Sequence, residues 1–525
     1  MLTLFRNQMQ RMVWAHTQMG LHTMARVKSN PDMLENVPVK KEFDVVPLLR
    51  NMAAQFHAVY PGTFENFRVA GVQHMLGTTR DMFQVLREYH LQEAVLCGKS
   101  YSTHLSSALA LKKLGFTFIL DKEQLALGAY EAANQATIQE MWSVYDEMQQ
   151  ADPKKVLFCI DDGFEALKRI PASYFNGLKY KPQFVVGKEQ TRGGSNGSGF
   201  KGMPFPIIHL AGSLAKRIES PGVARAIADR SFQAFKEVES YLDGTPTVGI
   251  IGYGDQGKVI AKKFMKDGYP VIVFDKNSSM YDENVLEEQR MPNAALLWAN
   301  ADIVISCTGV DITLDSNVLN NILFLKKKRQ VVMSAASEDR EFRTLLERIQ
   351  AATKVPGVTP NSLKDIRFMT RGGTELLILR GGFPVNFDNS KHSVVPEEIW
   401  PTRAGILSSF FMANTLWKHK DAQSSASVAM LCPVLQLMII AEYARLNPGS
   451  PFIHEFVAAV DYLKYFPENQ HKSHVDLALQ HIVSKSEGEL VRFSEMIGKN
   501  GLFKVPESLV EQCKTVLFSP RHSPG

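Results

Sequence analysis

Apolar and polar positions run through this chain in two rhythms, and the changes of rhythm mark its elements. Short apolar runs at 68–71, 93–97, 117–120, 156–160, 183–186 and 207–210 predict strands. Between them, 78–89, 103–114 and 131–149 repeat apolar residues every third or fourth position, which predicts helices. A helix over 223–241 leads through the short connection 243–246 into a second series of strands at 248–251, 271–274, 301–307, 330–334 and 375–380. Beyond Pro396 the pattern turns helical again, at 404–419 and 427–446. Strands alternating with helices predict parallel sheets. The expected fold is two-domain α/β, with a doubly wound parallel sheet of Rossmann type inserted in another α/β domain.

This pattern divides the chain into an N-terminal helical segment (1–41), a substrate-bearing α/β domain (42–242), a Rossmann domain (243–390) and a helical return with a C-terminal extension (391–525). A return after a nucleotide domain packs back on the first domain, so the connections near 243 and 390 are expected to form a paired hinge. The run QTRGGSNGSGFKG (190–202) is rich in Gly and Ser and predicts a mobile loop. The first 28 residues carry Arg6, Arg11, Arg26 and Lys28 and no acid, but lack the Ser richness and cleavage site of a targeting segment. They are expected to form a helix packed on the body.

The most informative stretch is TVGIIGYGDQGKVIAKKFMKDGYPVIVFDKN (247–277). It places a strand, a turn (Gly252, Tyr253, Gly254, Asp255, Gln256, Gly257), a helix over 256–267 and a second strand ending at Asp275 in the order of a dinucleotide-binding unit. Gly252 suits a tight turn, Gly254 a close approach of backbone to pyrophosphate, and Gly257 close packing of helix on strand, with the helix N-terminus facing the phosphates. Asp275 can accept hydrogen bonds from both hydroxyls of an adenosine ribose and would repel a 2′-phosphate, so NAD is expected rather than NADP. The alternative is a Rossmann unit that keeps its shape and binds nothing.

At 525 residues the chain has room for two or three domains, and 45% hydrophobic with 22% charged residues is the balance of a globular protein. A formal charge of +5 and no dense basic run argue against nucleic acid as a partner. Five scattered cysteines without a CxxC predict a reducing, cytoplasmic setting and no metal site. The apolar run at 429–441 is broken by Pro433 and Gln436 and predicts a buried helix, not a membrane span.

Several segments, taken in order, resemble S-adenosylhomocysteine hydrolase. Beside GYGDQGK (252–258) they are VAGVQHM (69–75), CGKSYSTH (97–104), Asp161-Asp162-Gly163, Lys188-Glu189-Gln190-Thr191, PFPIIHLAGSLAK (204–216), Cys307-Thr308-Gly309 and Val385-Asn386, spread over roughly 65–415. The resemblance implies a redox-assisted elimination, in which bound NAD⁺ transiently oxidises a ribose hydroxyl. It also implies catalytic roles for His74, Asp162, Glu189 and Lys216, and cofactor contacts from Cys307, Thr308, Gly309 and Asn386. Thr191 and His392 are implied substrate contacts, and a homo-oligomer the implied assembly.

The chemistry of these residue types is compatible with such roles. Carboxylates at Asp162 and Glu189 can grip vicinal hydroxyls, Lys216 can help move a hydroxyl proton, and His74 can titrate near neutrality. Each also has a structural alternative: a hydrogen-bonded His74, a turn at Asp162, a solvated Glu189, and an exposed basic patch at Lys216 and Arg217.

The sequence departs from the family where Ser220 and Pro221 replace an Asp-Asn pair, with Glu219 beside them. Ser337 replaces a histidine, Leu76 and Thr78 replace polar adenosine-reading residues, and His392 lies one residue closer to Asn386 than in the family. Three functions follow: an adenosylhomocysteinase-like enzyme with a diverged small-molecule substrate, an NAD-dependent oxidoreductase or lyase acting on another hydroxy or amino compound, and an NAD-binding regulatory protein.

Overall fold

The computed structural model describes residues 46–59, 61–119, 126–171, 207–211, 213–353, 364–418, 428–431 and 433–447. The expected N-terminal helix, the strand at 183–186, the Gly/Ser loop, Glu189, Thr191 and the C-terminal extension lie outside these residues.

The first domain is built on a parallel sheet in the order β3-β2-β1-β4, with β1 Phe67–Gln73, β2 Glu93–Gly98, β3 Thr117–Ile119 and β4 Val156–Asp161. Every residue of β1 is buried, as a central parallel strand covered on both faces requires. Helices α1 (Pro47–Val59) and α2 (Gly77–Glu88) share one core with that sheet, and α3 (Leu105–Lys113) and α4 (Tyr130–Ala151) complete the crossovers. The chain winds from β1 outward to β3, then crosses back to β4 on the far side of β1. The carboxyl ends of β1 and β4 therefore flank a topological switch point, where open α/β sheets bind ligands.

Strand β5 (Ile207–His209) is followed by α5 (Leu214–Val238), which starts nine residues before the helix expected at 223 and runs through Pro221. Proline gives the preceding turn no N–H and costs about 3 kcal/mol in a helix interior. The Ser213 hydroxyl caps the start by accepting from the Lys216 N–H. Further along, Ile227 and Phe235 are buried in the core of the second domain, at about 1.5–3 kcal/mol each. Packing outweighs the local penalty.

The second domain is the expected doubly wound sheet, in the order β10-β11-β9-β8-β6-β7. Its strands are β6 Val248–Ile251, β7 Val271–Phe274, β8 Ile303–Ser306, β9 Arg329–Ser334, β10 Ile366–Met369 and β11 Glu375–Ile378. Helices α6 (Asp255–Lys266), α7 (Ala294–Asn300), α8 (Ser316–Leu323) and α9 (Arg343–Thr353) connect them. The β6–α6–β7 unit matches its expected bounds within one residue. Outside β7 a single parallel bridge, Val273 to Arg290, stands where a further strand would lie. Because β8 lies on the opposite side of β6 from β7, the second switch point falls between the ends of β6 and β8.

Helices α10 (Pro396–Lys418) and α11 (Pro433–Leu446) return to the first sheet. Phe410 stacks on Phe158 of β4 at 3.6 Å between centroids, and Phe411 stacks on Phe56 of α1 at 4.4 Å. The segment expected to begin a helix at 427 instead starts with β12 (Val428–Met430), which pairs with β5. Among the described residues no helix is long and apolar enough to cross a membrane.

Candidate active site

Parallel pairing sets Val72 of β1 opposite Asp161 of β4, and the Asp162 N–H donates to the Val72 carbonyl. The residues just beyond, His74 and Asp162, consequently meet at the first switch point, with His74 Nε2 3.6 Å from Asp162 Oδ2. The two aspartates have different tasks. Asp161 is fully buried and accepts the N–H groups of Glu165, Ala166 and Leu167, which fixes the turn after β4. Burial still pushes its carboxyl up to about 6, against those bonds.

Asp162 is itself buried and lies 3.8 Å from the ammonium of Lys99, which is also buried. Burial alone would lower the Lys99 pKa, but Asp162, with Tyr101, Glu338 and Glu165, holds it well above the ordinary lysine range. On its other side His74 uses Nδ1 to hydrogen-bond Ser102 Oγ, in the short turn Ser100–Ser102 after β2.

Lys216 lies in the first turn of α5 and pairs with Glu219, whose side chain is buried. Glu219 thus supplies a carboxylate beside Ser220 and Pro221. Burial pulls the Arg403 pKa down, and Glu219 and Asp162 oppose that pull, which places this fully buried guanidinium in the field of both carboxylates. Arg403 Nη1 also donates to Gln73 Oε1 at 2.9 Å, next to His74. Charges therefore alternate across the crevice, from Lys216 through Glu219, Arg403 and Asp162 to Lys99.

The second domain closes over this site with aromatic rings. Phe387 stacks on the His74 imidazole (4.8 Å, 15°), and Tyr101 stacks on Phe383 (5.4 Å, 19°). Asn386 lies beside Phe387 and lines a small hollow with Leu76 and Ser102. His392 packs on Gly77 at the start of α2, where a Cβ would lie 2.3 Å from its Cε1, and the Gly77 N–H donates to the Lys391 carbonyl.

At the second switch point the glycine turn has the shape a dinucleotide needs. Gly252 adopts φ +94°, and a Cβ on Gly257 would lie 1.9 Å from the Gly252 carbonyl oxygen. A Cβ on Gly254 would meet nothing closer than Met280 Cε at 4.0 Å, so the backbone there is open to an approaching phosphate. Asp255 and Gln256 open α6, whose first amides face the same space.

Asp275 accepts the Tyr253 N–H on one carboxylate oxygen (2.7 Å) and the Asn277 N–H on the other (2.8 Å), which aims it while leaving each oxygen a lone pair for ribose hydroxyls. The Tyr253 ring is buried beneath the turn. The Cys307 thiol donates to the Gly252 carbonyl at 2.9 Å, tying the β8 loop to the turn. Behind that loop the fully buried Glu341 accepts from the Ser306 and Thr308 hydroxyls and the Gly309 N–H, and burial pushes its carboxyl up to about 7. These groups suit NAD. Among the described residues no cluster of His, Cys, Asp or Glu could hold a metal ion.

Lys99, Ser102, Arg403 and Glu341 were not among the expected site residues. Arg403 had a signal, a lone cation inside the apolar run IWPTRAGILSSFF, since an unpaired charge is almost never buried. The other three are ordinary polar residues in sequence, and only the fold gives them partners.

Residues 247–355 match the NAD-binding domain of 6-phosphogluconate dehydrogenase. No match is found among curated protein sequences. Among solved structures the chain is similar to an NAD-dependent formate dehydrogenase from Staphylococcus aureus, at 12% identity and TM-score 0.33 over 66% of this chain and 96% of that one. It is also similar to an NADPH-dependent glyoxylate/hydroxypyruvate reductase from Sinorhizobium meliloti, at 12% identity and TM-score 0.33 over 67% and 93%. A third likeness is to a D-lactate dehydrogenase from Lactobacillus jensenii, at 13% and 0.28 over 66% and 97%. With strand, glycine turn, helix and Asp275 in place and the domain match spanning them, the second domain is a Rossmann-type NAD-binding domain and NAD is its cofactor.

Proposed function

We propose that this chain is an NAD-dependent oxidoreductase acting on a hydroxyl-bearing small molecule in the crevice between its two sheets. The observation that carries this is the pairing of switch points: the His74–Asp162 pair stands at one, and the Gly252 turn with its Cys307–Gly309 loop at the other. NAD⁺, when bound, supplies a hydride acceptor. The chain's own groups do the rest. Asp162 lies beside His74, Lys99 balances the carboxylate, and Phe387 covers one face of the imidazole.

The second reading is the adenosylhomocysteinase-like cycle, with oxidation followed by elimination and re-reduction. The Lys216–Glu219 pair favours it, because a carboxylate still stands beside that lysine. Substrate identity and assembly belong to the same proposal.

The test uses the full chain loaded with NAD⁺, to which adenosine, S-adenosylhomocysteine, or simple hydroxy and amino acids are added while the near-ultraviolet absorbance of NADH is followed. Reduction by any of them, lost in His74→Ala, is expected. A response confined to adenosine and S-adenosylhomocysteine would select the second reading. No reduction by any compound, with Lys216→Ala indistinguishable from the parent in NAD affinity, would leave an NAD-binding regulatory protein.

A further inference from the structure

The His74 imidazole is hemmed in. Nε2 faces Asp162 at 3.6 Å, Nδ1 hydrogen-bonds Ser102, the Phe387 ring covers one face, and the Tyr101 ring stands edge-on with centroids 5.8 Å apart. Beside it lies a hollow of about 10 Å³, room for about one water. Ser102, His104, Asn386 and Ser390 line that hollow, and His74 does not. Among the described residues no side chain lining it carries a fixed charge: burial holds the His104 pKa below the usual value, with Arg80 and Lys391 adding to the effect. Hydroxyls and amides of this kind suit an uncharged hydroxyl group.

Ser102 is equipped to serve both protonation states of His74. The negative Asp162 carboxylate facing Nε2 at 3.6 Å favours the tautomer of neutral His74 with its proton on Nε2, which leaves the Nδ1 lone pair to accept the Ser102 O–H. Once Nδ1 is protonated it donates to Ser102 Oγ instead, and the serine hydroxyl hydrogen can turn to the Lys99 carbonyl, 3.2 Å away. Neither state strands a buried donor, which would cost more than an ordinary hydrogen bond returns.

Resting on the oxidation proposed above, we propose that Ser102 is the catalytic residue that meets the substrate hydroxyl in this hollow and relays its proton to His74. The substrate O–H proton passes to Ser102 Oγ as the serine's own proton passes to His74 Nδ1. The substrate C–H bond breaks with its electron pair leaving as hydride to the nicotinamide of NAD⁺, and the C–O bond becomes a carbonyl. Asp162 stabilises the resulting imidazolium, and reduction retraces each step.

The test compares the NAD-loaded full chain with Ser102→Ala and Ser102→Thr. Adenosine, S-adenosylhomocysteine and lactate serve as probes, with single-turnover NADH formation, NAD affinity by calorimetry and ¹⁵N NMR of the histidine rings as readouts. The His74 signals are identified by their loss in His74→Gln. The relay predicts that Ser102→Ala slows NADH formation about a hundredfold or more at unchanged NAD affinity, while threonine, which keeps the hydroxyl, restores most of the rate. It also predicts that the alanine variant shifts the His74 ring signals and their pH midpoint.

Parent-like NADH formation by Ser102→Ala overturns the relay and leaves the oxidoreductase standing. A parent that reduces NAD⁺ with none of the probes overturns the oxidoreductase, and the relay with it. His74 signals identical in parent and Ser102→Ala overturn the Ser102–His74 pair whatever the activity.

Discussion

Glu341 offers a test of how the second domain is built. Its carboxyl is fully buried, and burial moves its pKa from the usual 4.5 up to about 7, against the pull of Ser306, Thr308 and Gly309. Between those values the unfolded chain has released the proton and the folded chain still holds it. The folded state binds more protons, so stability falls as pH rises. The contribution is fully present below about pH 4.5 and is lost as pH passes 7, a change of about 3 kcal/mol.

Urea denaturation at pH 5 and pH 8, followed by tryptophan fluorescence, measures it, because Trp298 packs edge-on against Phe342 beside Glu341. With a slope of about 1–3 kcal/mol per molar urea, the midpoint of the second domain should drop by about 1–3 M between the two pH values. Glu341→Gln keeps the shape and removes the titration, so most of that drop should vanish. Asp339, pushed up to about 6 mainly by burial, leaves a smaller slope in both proteins. Equal pH slopes in parent and variant would show that the three donors hold Glu341 ionised, and the argument from burial would fail.

Two further predictions address the cofactor turn and the charge chain. Gly257→Ala should lower both the urea midpoint and NAD affinity, since its Cβ would collide with the Gly252 carbonyl, whereas Gly254→Ala should keep the midpoint and weaken NAD binding by about tenfold or more. Calorimetry that finds Gly254→Ala binding NAD like the parent would refute the assigned phosphate path. Glu219→Ala removes the carboxylate opposite Lys216 and Arg403 and should cost about 3–5 kcal/mol, partly recovered when Arg403→Met is added. Strict additivity of the two changes, read from denaturation midpoints, would mean Glu219 and Arg403 do not interact.

The legible parts of this fold were those in which local signals agree. At 247–277 apolar strands, three glycines and a terminal aspartate all specify one unit, and β6, α6 and β7 lie within a residue of expectation. Where a local signal opposes packing, the sequence misleads. Pro221 argues for a helix start that burial of Ile227 and Phe235 overrides, and the apolar run at 429–441 hides a three-residue strand before its helix.

Within the site, His74 and Asp162 stand just past strands whose positions the sequence predicted, while their site roles were implied only by the family resemblance. Arg403, Ser102 and Glu341 sit between 28 and 330 residues from their partners Gln73, His74 and Ser306, and no pattern in the chain states those distances.

The flanks of the second sheet have a consequence for self-association. One flank ends at β7, where a lone bridge holds Arg290 across the outermost backbone groups. The opposite flank, β10, is four residues long and carries the exposed Arg367, which pairs with Glu375 of β11. A stranger's extended segment would find only a few open amides at either end, beside a guanidinium that resists being stripped of water, so edgewise fibre growth is discouraged at both ends.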